Sequence, residues 1–365
     1  MPSLYEIALT LVPGVGAVTA RTLLENVGDA ESIFKSSFAE LTAIPGVGPK
    51  TAESIRSKDC LAQAEKELAF VEKFKIKTLF YTSEEYPWRL RNCYDAPILL
   101  YYKGNAELNG SRVISVVGTR SATAYGRELT EKLIDDLASY DVLVISGLAY
   151  GIDGIAHKAC LKHQIPTVGV VGHGLDRIYP AQHRSLAEKM LACGGILTEF
   201  PSGTKPDREN FPKRNRIVAG LADATIIVEA AKNGGALITA ELANSYDRDV
   251  FAFPGRVNDQ FSSGCNHLVK TNRANLITEA KDIAYLMGWE TKDAGKLKPQ
   301  LELSLNLAPE EEKIVAVLKN QDALSIDEIF SLTQISPGKL AMHLLSLEMA
   351  GVLTALPGKR YKTVG

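Results

Sequence analysis

From residue 111 to about residue 290 the chain alternates short, unbroken apolar runs with longer segments of helical pattern. The runs are Val113–Val117, Val142–Ile145, Thr167–Val171, Gly195–Thr198, Thr225–Val228 and Val250–Phe253. They are rich in β-branched residues and do not alternate with polar positions, as strands covered on both faces require. The pattern predicts an α/β fold with a parallel sheet and right-handed crossovers, whose functional groups gather at the carboxyl ends of the strands. Residues 66–110 read as a connector, with a helix over Lys66–Lys75, a strand over Lys77–Thr82 and a second strand within Ala96–Gly104. Residues 291–307 read as a linker. Residues 308–365 form a small third unit. In it Pro309 opens a helix ending near Lys319, Ser325 caps Ile326–Leu332, and Ser336 caps Pro337–Ala350 with Gly351 as its stop. A hairpin follows, from Val352–Leu356 through Pro357–Arg360 to Tyr361–Val364.

Residues 1–65 contain an internal repeat. Leu11–Leu23 is echoed by Ala43–Ile55, each copy centred on Pro-Gly-Val-Gly. Proline stops one helix and the glycines permit a tight turn into the next. The amides of Gly14–Ala17 and Gly46–Lys50 are then left at helix N-termini, which receive phosphate well. The repeat resembles the tandem helix-hairpin-helix (SAM-like) motif, a binder of the DNA backbone. Gly46, Gly48 and Lys50 are its accessory DNA-binding candidates, since only the second copy has a neighbouring cation. The alternative is a helical packing domain that has lost its charge. Three helices and a hairpin make the third unit resemble a winged helix. Its third helix carries few cations, so protein contact and DNA contact both stay open.

The chain has 365 residues, 45% apolar, with a net charge of −2. That allows two or three domains and gives no global field toward nucleic acid, so any polyanion site must be built from local clusters. The five cysteines are scattered singly, which suits reduced thiols. No run is long enough to span a bilayer and the N-terminus lacks signal-peptide character, so a cytoplasmic location without membrane attachment is expected.

The candidate chemistry lies in the strand-end loops. Gly118-Thr119-Arg120-Ser121 follows the first run and offers amides, hydroxyls and a guanidinium to phosphate. It matches neither the dinucleotide nor the Walker glycine pattern. Ser146 and Gly147 follow the second run. In the same loop Asp153 reads as an N-cap or a catalytic acid, and His157 as a packed or capping histidine. Phe211-Pro-Lys213-Arg214-Asn215-Arg216 places three cations beside an aromatic ring, a combination suited to phosphate and base. Gly234, Gly235 and Thr239 mark a glycine-rich helix start.

These loops, with Gly172-His-Gly-Leu-Asp-Arg-Ile-Tyr-Pro180 and Gly264-Cys-Asn-His-Leu268, closely resemble the DprA/Smf family of DNA-processing proteins. The matching motifs run in order through nearly all of residues 86–290. Two positions depart from the family pattern: His183 stands where Asn is usual, and Asn233-Gly-Gly-Ala236 replaces Ser-Gly-Ser. The resemblance implies an extended Rossmann-like core that binds single-stranded DNA, flanked by an all-α helix-hairpin-helix domain and a winged helix. It also implies protection of incoming strands in natural transformation and loading of a RecA-type recombinase. The resemblance further implies single-strand-binding protein as a partner and self-association as a homodimer through the central domain. It brings no catalytic residue, cofactor or metal. The alternative is a Rossmann-like enzyme acting on nucleoside monophosphates, with Glu229, Asp153 and Glu199 as available carboxylates.

Overall fold

The computed structural model describes residues 3–289, 308–318, 323–350, 352–356 and 360–363. The chain divides into two compact units, Met1–Lys292 and Asp293–Gly365. In the first, nine strands form one sheet: β1 (Lys77–Phe80), β2 (Leu99–Gly104), β3 (Val113–Val117), β4 (Leu143–Ser146), β5 (Thr167–Val170), β6 (Gly194–Thr198), β7 (Ala224–Ile227), β8 (Asp249–Ala252) and β9 (Asn275–Leu276). Their order is β1-β2-β6-β5-β4-β3-β7-β8-β9. From β6 to β9 all pairs are parallel, whereas β1–β2 and β2–β6 are antiparallel. All six apolar runs are strands, and β3 to β7 are buried throughout. The residues read as a connector belong to the sheet and close its β6 edge.

Six helices precede the sheet: α1 (Leu4–Leu11), α2 (Ala17–Val27), α3 (Ala30–Lys35), α4 (Phe38–Ala43), α5 (Pro49–Ser57) and α6 (Leu61–Lys73). The two Pro-Gly-Val-Gly turns place Gly14 at φ 82° and Gly46 at φ 81°, where a Cβ would be strained. Each turn is closed by a valine amide, Val15 to Val12 and Val47 to Ile44, both 3.1 Å. α6 starts before the expected boundary at residue 65 and ends before Lys75. Ile7, Leu9, Leu23, Ile33, Ile55 and Val71 form one core with Phe80, Leu99 and Tyr101 of β1 and β2. The sheet edge therefore completes the repeat's hydrophobic face.

Around the sheet lie α7 (Trp88–Arg91), α8 (Ala124–Leu137), α9 (Ile152–Lys162), α10 (Arg184–Cys193), α11 (Asn210–Leu221), α12 (Gly235–Ser245), α13 (Ser263–Lys270) and α14 (Ala280–Leu286). The apolar groups split into one core containing Val113, Ile145, Val168, Leu197 and Ile217, and another containing Ile114, Val144, Ile152, Ile226 and Phe251. Alternate residues of the same strands thus feed opposite faces, as the pleat requires.

The second unit has α15 (Pro309–Leu318), α16 (Ile326–Thr333) and α17 (Pro337–Met349), with β10 (Leu324–Ser325), β11 (Leu353–Leu356) and β12 (Arg360–Thr363) in the order β10-β12-β11. Its core is built on Ile314, Leu318, Ile329, Leu340, Leu344 and Leu347. Ser325 caps α16 in a reciprocal box with Glu328. Ser336 stands at the N-cap of α17 without a side-chain bond to it, and Pro337 supplies the preset first turn instead. The linker 291–307, Lys319, Gly351, the hairpin tip 357–359 and Val364 lie outside the described residues.

One polar contact fastens the repeat domain to the sheet. Glu67 of α6 is 5% exposed and accepts from the Ser202 amide (3.0 Å to each carboxylate oxygen) and the Ser202 hydroxyl, just beyond β6. Removing a buried, charge-assisted acceptor of this kind costs about 1.5–3 kcal/mol. Glu67→Ala should therefore lower the urea midpoint of the first unit by a corresponding amount. An unchanged midpoint would show that Ser202 is satisfied without it.

Candidate nucleic-acid interface

The chain enters the parallel sheet at β3, runs outward through β4, β5 and β6, then returns to the other side of β3 through β7, β8 and β9. Connections diverge outside the carboxyl ends of β3 and β7, where such folds open a crevice. A cleft of about 680 Å³ lies there, lined by Gly118, Thr119, Arg120, Arg208, Phe211 and Arg214, with Asn215, Gly234, Gly235 and Thr239 on its α12 side.

The β3 loop is shaped by Glu229, just beyond β7, and by Ile152 of α9. The Thr119 amide donates to the Glu229 carbonyl at 2.8 Å. A Cβ on Gly118 would approach Ile152 Cγ1 to 2.5 Å, so the backbone passes where no side chain fits. The Glu229 carboxylate, 1% exposed, accepts from the Thr123 amide (3.0 Å) and hydroxyl (2.5 Å) at the start of α8. This consumes the Glu229 carboxylate as an anchor.

Phe211–Arg216 forms the first turns of α11. At 100° per residue, Phe211 and Arg214 share a face and Arg216 points to the other side. Arg214 is 5% exposed on the cleft floor, and its Nε lacks a hydrogen-bond partner among the described residues. Its guanidinium lies on Gly147, where a Cβ would collide with it. Arg120, exposed, lies with Cζ 5.1 Å from the Phe211 ring centroid. Arg216 is turned away, ion-paired with Glu199 and donating to the Asp95 carbonyl. Lys213 is exposed on the flank of the helix. The basic cluster is thus divided by helical geometry into one cleft guanidinium, one surface ammonium and one structural tether.

Other candidates sort in the same way. Ser121 is exposed, and its amide donates to Thr119 Oγ1 at 3.2 Å. Ser146 is fully buried and donates to the Val116 carbonyl at 2.6 Å, tying β4 to β3. Thr239 lines the cleft from the second turn of α12. Asp153 is not the N-cap of α9, since Gly151 holds that position. Its carboxylate accepts from the Ala149 amide at 3.3 Å, and burial pushes it up while Arg214 opposes the shift. His157 is buried, with Nδ1 2.7 Å from Thr167 Oγ1, and desolvation lowers its pKa to about 3. Gly46, Gly48 and Lys50 are exposed at the start of α5, with Gly48 as its N-cap.

Sequence reasoning missed the narrow end of the cleft, lined by Tyr150, His173, Tyr179 and Pro180 together with Phe211. Tyr150 and Tyr179 are 41% and 45% exposed. Tyr179 and Phe211 rings lie 6.1 Å apart. His173 clamps the loop from within: Nδ1 meets the Gly174 carbonyl at 2.9 Å, and Nε2 accepts from the Tyr179 amide at 3.2 Å. That assigns the Nδ1–H tautomer, and burial lowers its pKa. Tyrosines beside glycine-rich strand ends were the available signal. Among the described residues no group of three or more His, Cys, Asp or Glu could hold a metal ion, and no helix is long and apolar enough to cross a membrane.

A Rossmann-like sheet with guanidinium groups and aromatic rings at its switch point defines the class. The chain belongs to the DprA/Smf family: residues 77–288 match the family model for DNA recombination-mediator protein A. Residues 6–58 match a SAM-like helix-hairpin-helix tandem, and residues 298–359 match the DprA winged helix domain. The chain is 33% identical to a Synechocystis protein named Smf, covering 98% of each. Among solved structures it is similar to DNA processing protein A from Streptococcus pneumoniae, at 33% identity and TM-score 0.69, covering 79% of this chain and 99% of that one. It is also similar to DNA processing protein A from Helicobacter pylori, at 29% identity and TM-score 0.54, covering 60% and 98%. The latter structure is described as showing a single-stranded DNA binding mode.

The buried His157 sets a pH dependence. Its folded pKa of about 3 lies below the unfolded value near 6.5, so the unfolded chain binds an extra proton between those limits. The associated stability is fully present above about pH 6.5 and is lost as pH falls toward 3, by up to about 1.4 kcal/mol per pH unit. Urea unfolding at stepped pH should show a shallower acid loss for His157→Gln than for the parent chain. Parallel slopes would refute the assignment.

Proposed function

We propose that the chain binds single-stranded DNA, without sequence preference, in the cleft outside β3 and β7. In this reading it protects the strand during transformation and delivers it to a RecA-type recombinase, acting as a homodimer. The observation that carries the binding step is Arg214, a guanidinium held almost fully buried at the cleft floor, its Nε without a hydrogen-bond partner among the described residues. A buried cation carries a large desolvation cost, and a phosphate entering the cleft would offset it. Arg120 stacked on Phe211 adds a second phosphate donor beside an aromatic face. The described binding mode of the Helicobacter pylori relative supports the same substrate. Recombinase delivery, strand protection and dimerisation rest on the family.

The three carboxylates available to a nucleotide hydrolase are otherwise engaged. Glu229 anchors α8, Glu199 pairs with Arg216, and Asp153 is buried beside Arg214. Incubation with AMP should therefore release no free base above background. Release that disappears in Glu229→Gln would overturn the binding-protein reading in favour of the enzyme.

Arg120→Ala is the direct test of the cleft, because its exposed side chain can be removed without uncovering a buried charge. It should weaken binding to every oligonucleotide sequence alike and flatten log K against log salt by about 0.7. An unchanged slope would place the phosphates elsewhere.

The helix-hairpin-helix repeat shares its core with β1 and β2, so its contribution is tested by substitution rather than deletion. Lys50→Glu should weaken forked DNA several-fold more than a plain single strand in parallel gel shifts. Equal effects on both substrates would reduce the repeat to a packing role.

A further inference from the structure

His183, which stands where the family pattern usually has Asn, occupies a position that nothing above assigns. The loop between β4 and α9 holds the fully buried Leu148 at φ 57°, a left-handed conformation unfavourable for a branched residue. The His183 Nδ1–H donates to the Leu148 carbonyl at 3.0 Å, and His183 is itself 7% exposed. Its Cε1 and Nε2 lie 2.7 and 3.0 Å from where a Cβ on Gly154 would stand, so the glycine makes room for the ring. The ring also meets Tyr150 nearly edge-on, with centroids 5.4 Å apart and planes at 64°. The Tyr150 hydroxyl donates to the neighbouring Gln182. One short turn, Pro180–His183, therefore holds Leu148 and Tyr150 within the segment Gly147–Tyr150. The first residue of that segment carries the Arg214 guanidinium, and the last walls the narrow end of the cleft.

We propose that His183 is a positioning residue for the strand. Through Leu148 it holds Gly147 beneath the phosphate-binding guanidinium, and through its ring it holds Tyr150 as a wall for a base. The assignment rests on the single-strand reading above. The two roles separate chemically. An Asn side chain has an N–H at the same bond count from Cα as imidazole Nδ1, so Asn can keep the Leu148 bond while losing the ring. Ala loses both.

The test compares oligothymidine with an abasic deoxyribose-phosphate strand of equal length, titrated against the full chain. H183N should hold the abasic strand within about twofold of the parent. It should bind oligothymidine about two- to tenfold more weakly, the range expected of one lost aromatic contact. H183A should weaken both strands. Y150A should weaken oligothymidine alone, and H183N combined with Y150A should be no weaker than Y150A, because both act on one wall. H183N equal to the parent on oligothymidine, or additive effects in the double variant, would overturn the assignment while leaving the cleft intact. A parent chain that binds neither strand would remove the single-strand reading, and this proposal with it. Unaltered thermal midpoints for H183N and Y150A tie the losses to the site.

Discussion

A buried guanidinium is the constraint around which the functional end of this sheet is arranged. Arg214 can lie on the cleft floor only because Gly147 has no side chain, and Asp153 stands close enough to favour its charge. Gly147 is placed by the β4–α9 loop, whose strained Leu148 is held by His183. Asp153 is placed by the first turn of α9. Gly147 and Asp153 follow β4, His183 follows β5 and Arg214 itself follows β6, so the guanidinium's position summarises the register of three adjacent strands. A doubly wound sheet brings such loops together outside the carboxyl ends of its strands.

Much of this was legible because buried strands and glycine-rich turns leave strong one-dimensional traces. The six apolar runs appear in the structure with ends shifted by at most one residue, and most strand-end candidates meet at one cleft. What the linear pattern could not show was direction around a helix axis. Lys213, Arg214 and Arg216 look like one basic cluster until α11 sends Arg214 inward and Arg216 to Glu199. Ser146 and Glu229 looked like functional groups at strand ends, and both turned out to hold the loops together. The aromatic wall of Tyr150 and Tyr179 went unread because its members belong to loops separated by a whole strand-helix unit.

The helix and two strands read within residues 66–110 are present, but the linear pattern did not show where the strands sit, for a physical reason. β1 and β2 run antiparallel at an edge, with one face against α1–α6 and the other against the main core. A strand shared between two cores carries no simple alternation that would mark it as part of either. Tyr101 faces the helical repeat while Tyr102 faces the sheet core, and its hydroxyl donates to the Gly194 carbonyl at 3.0 Å.

That shared strand also bears on the order in which the protein can be made. The helices of the repeat leave the ribosome before the strands, but their apolar face is finished by β2, and β2 is paired on its inner side by β6, which ends 94 residues later (198 − 104). At ordinary synthesis rates that gap lasts on the order of ten seconds. Through that interval the edge formed by β1 and β2 is a two-stranded ribbon, marginal by itself. The repeat, made before the sheet, is thus completed only once β6 has been made, and a nascent chain stalled between β2 and β6 would expose a greasy, half-built surface to chaperones and proteases.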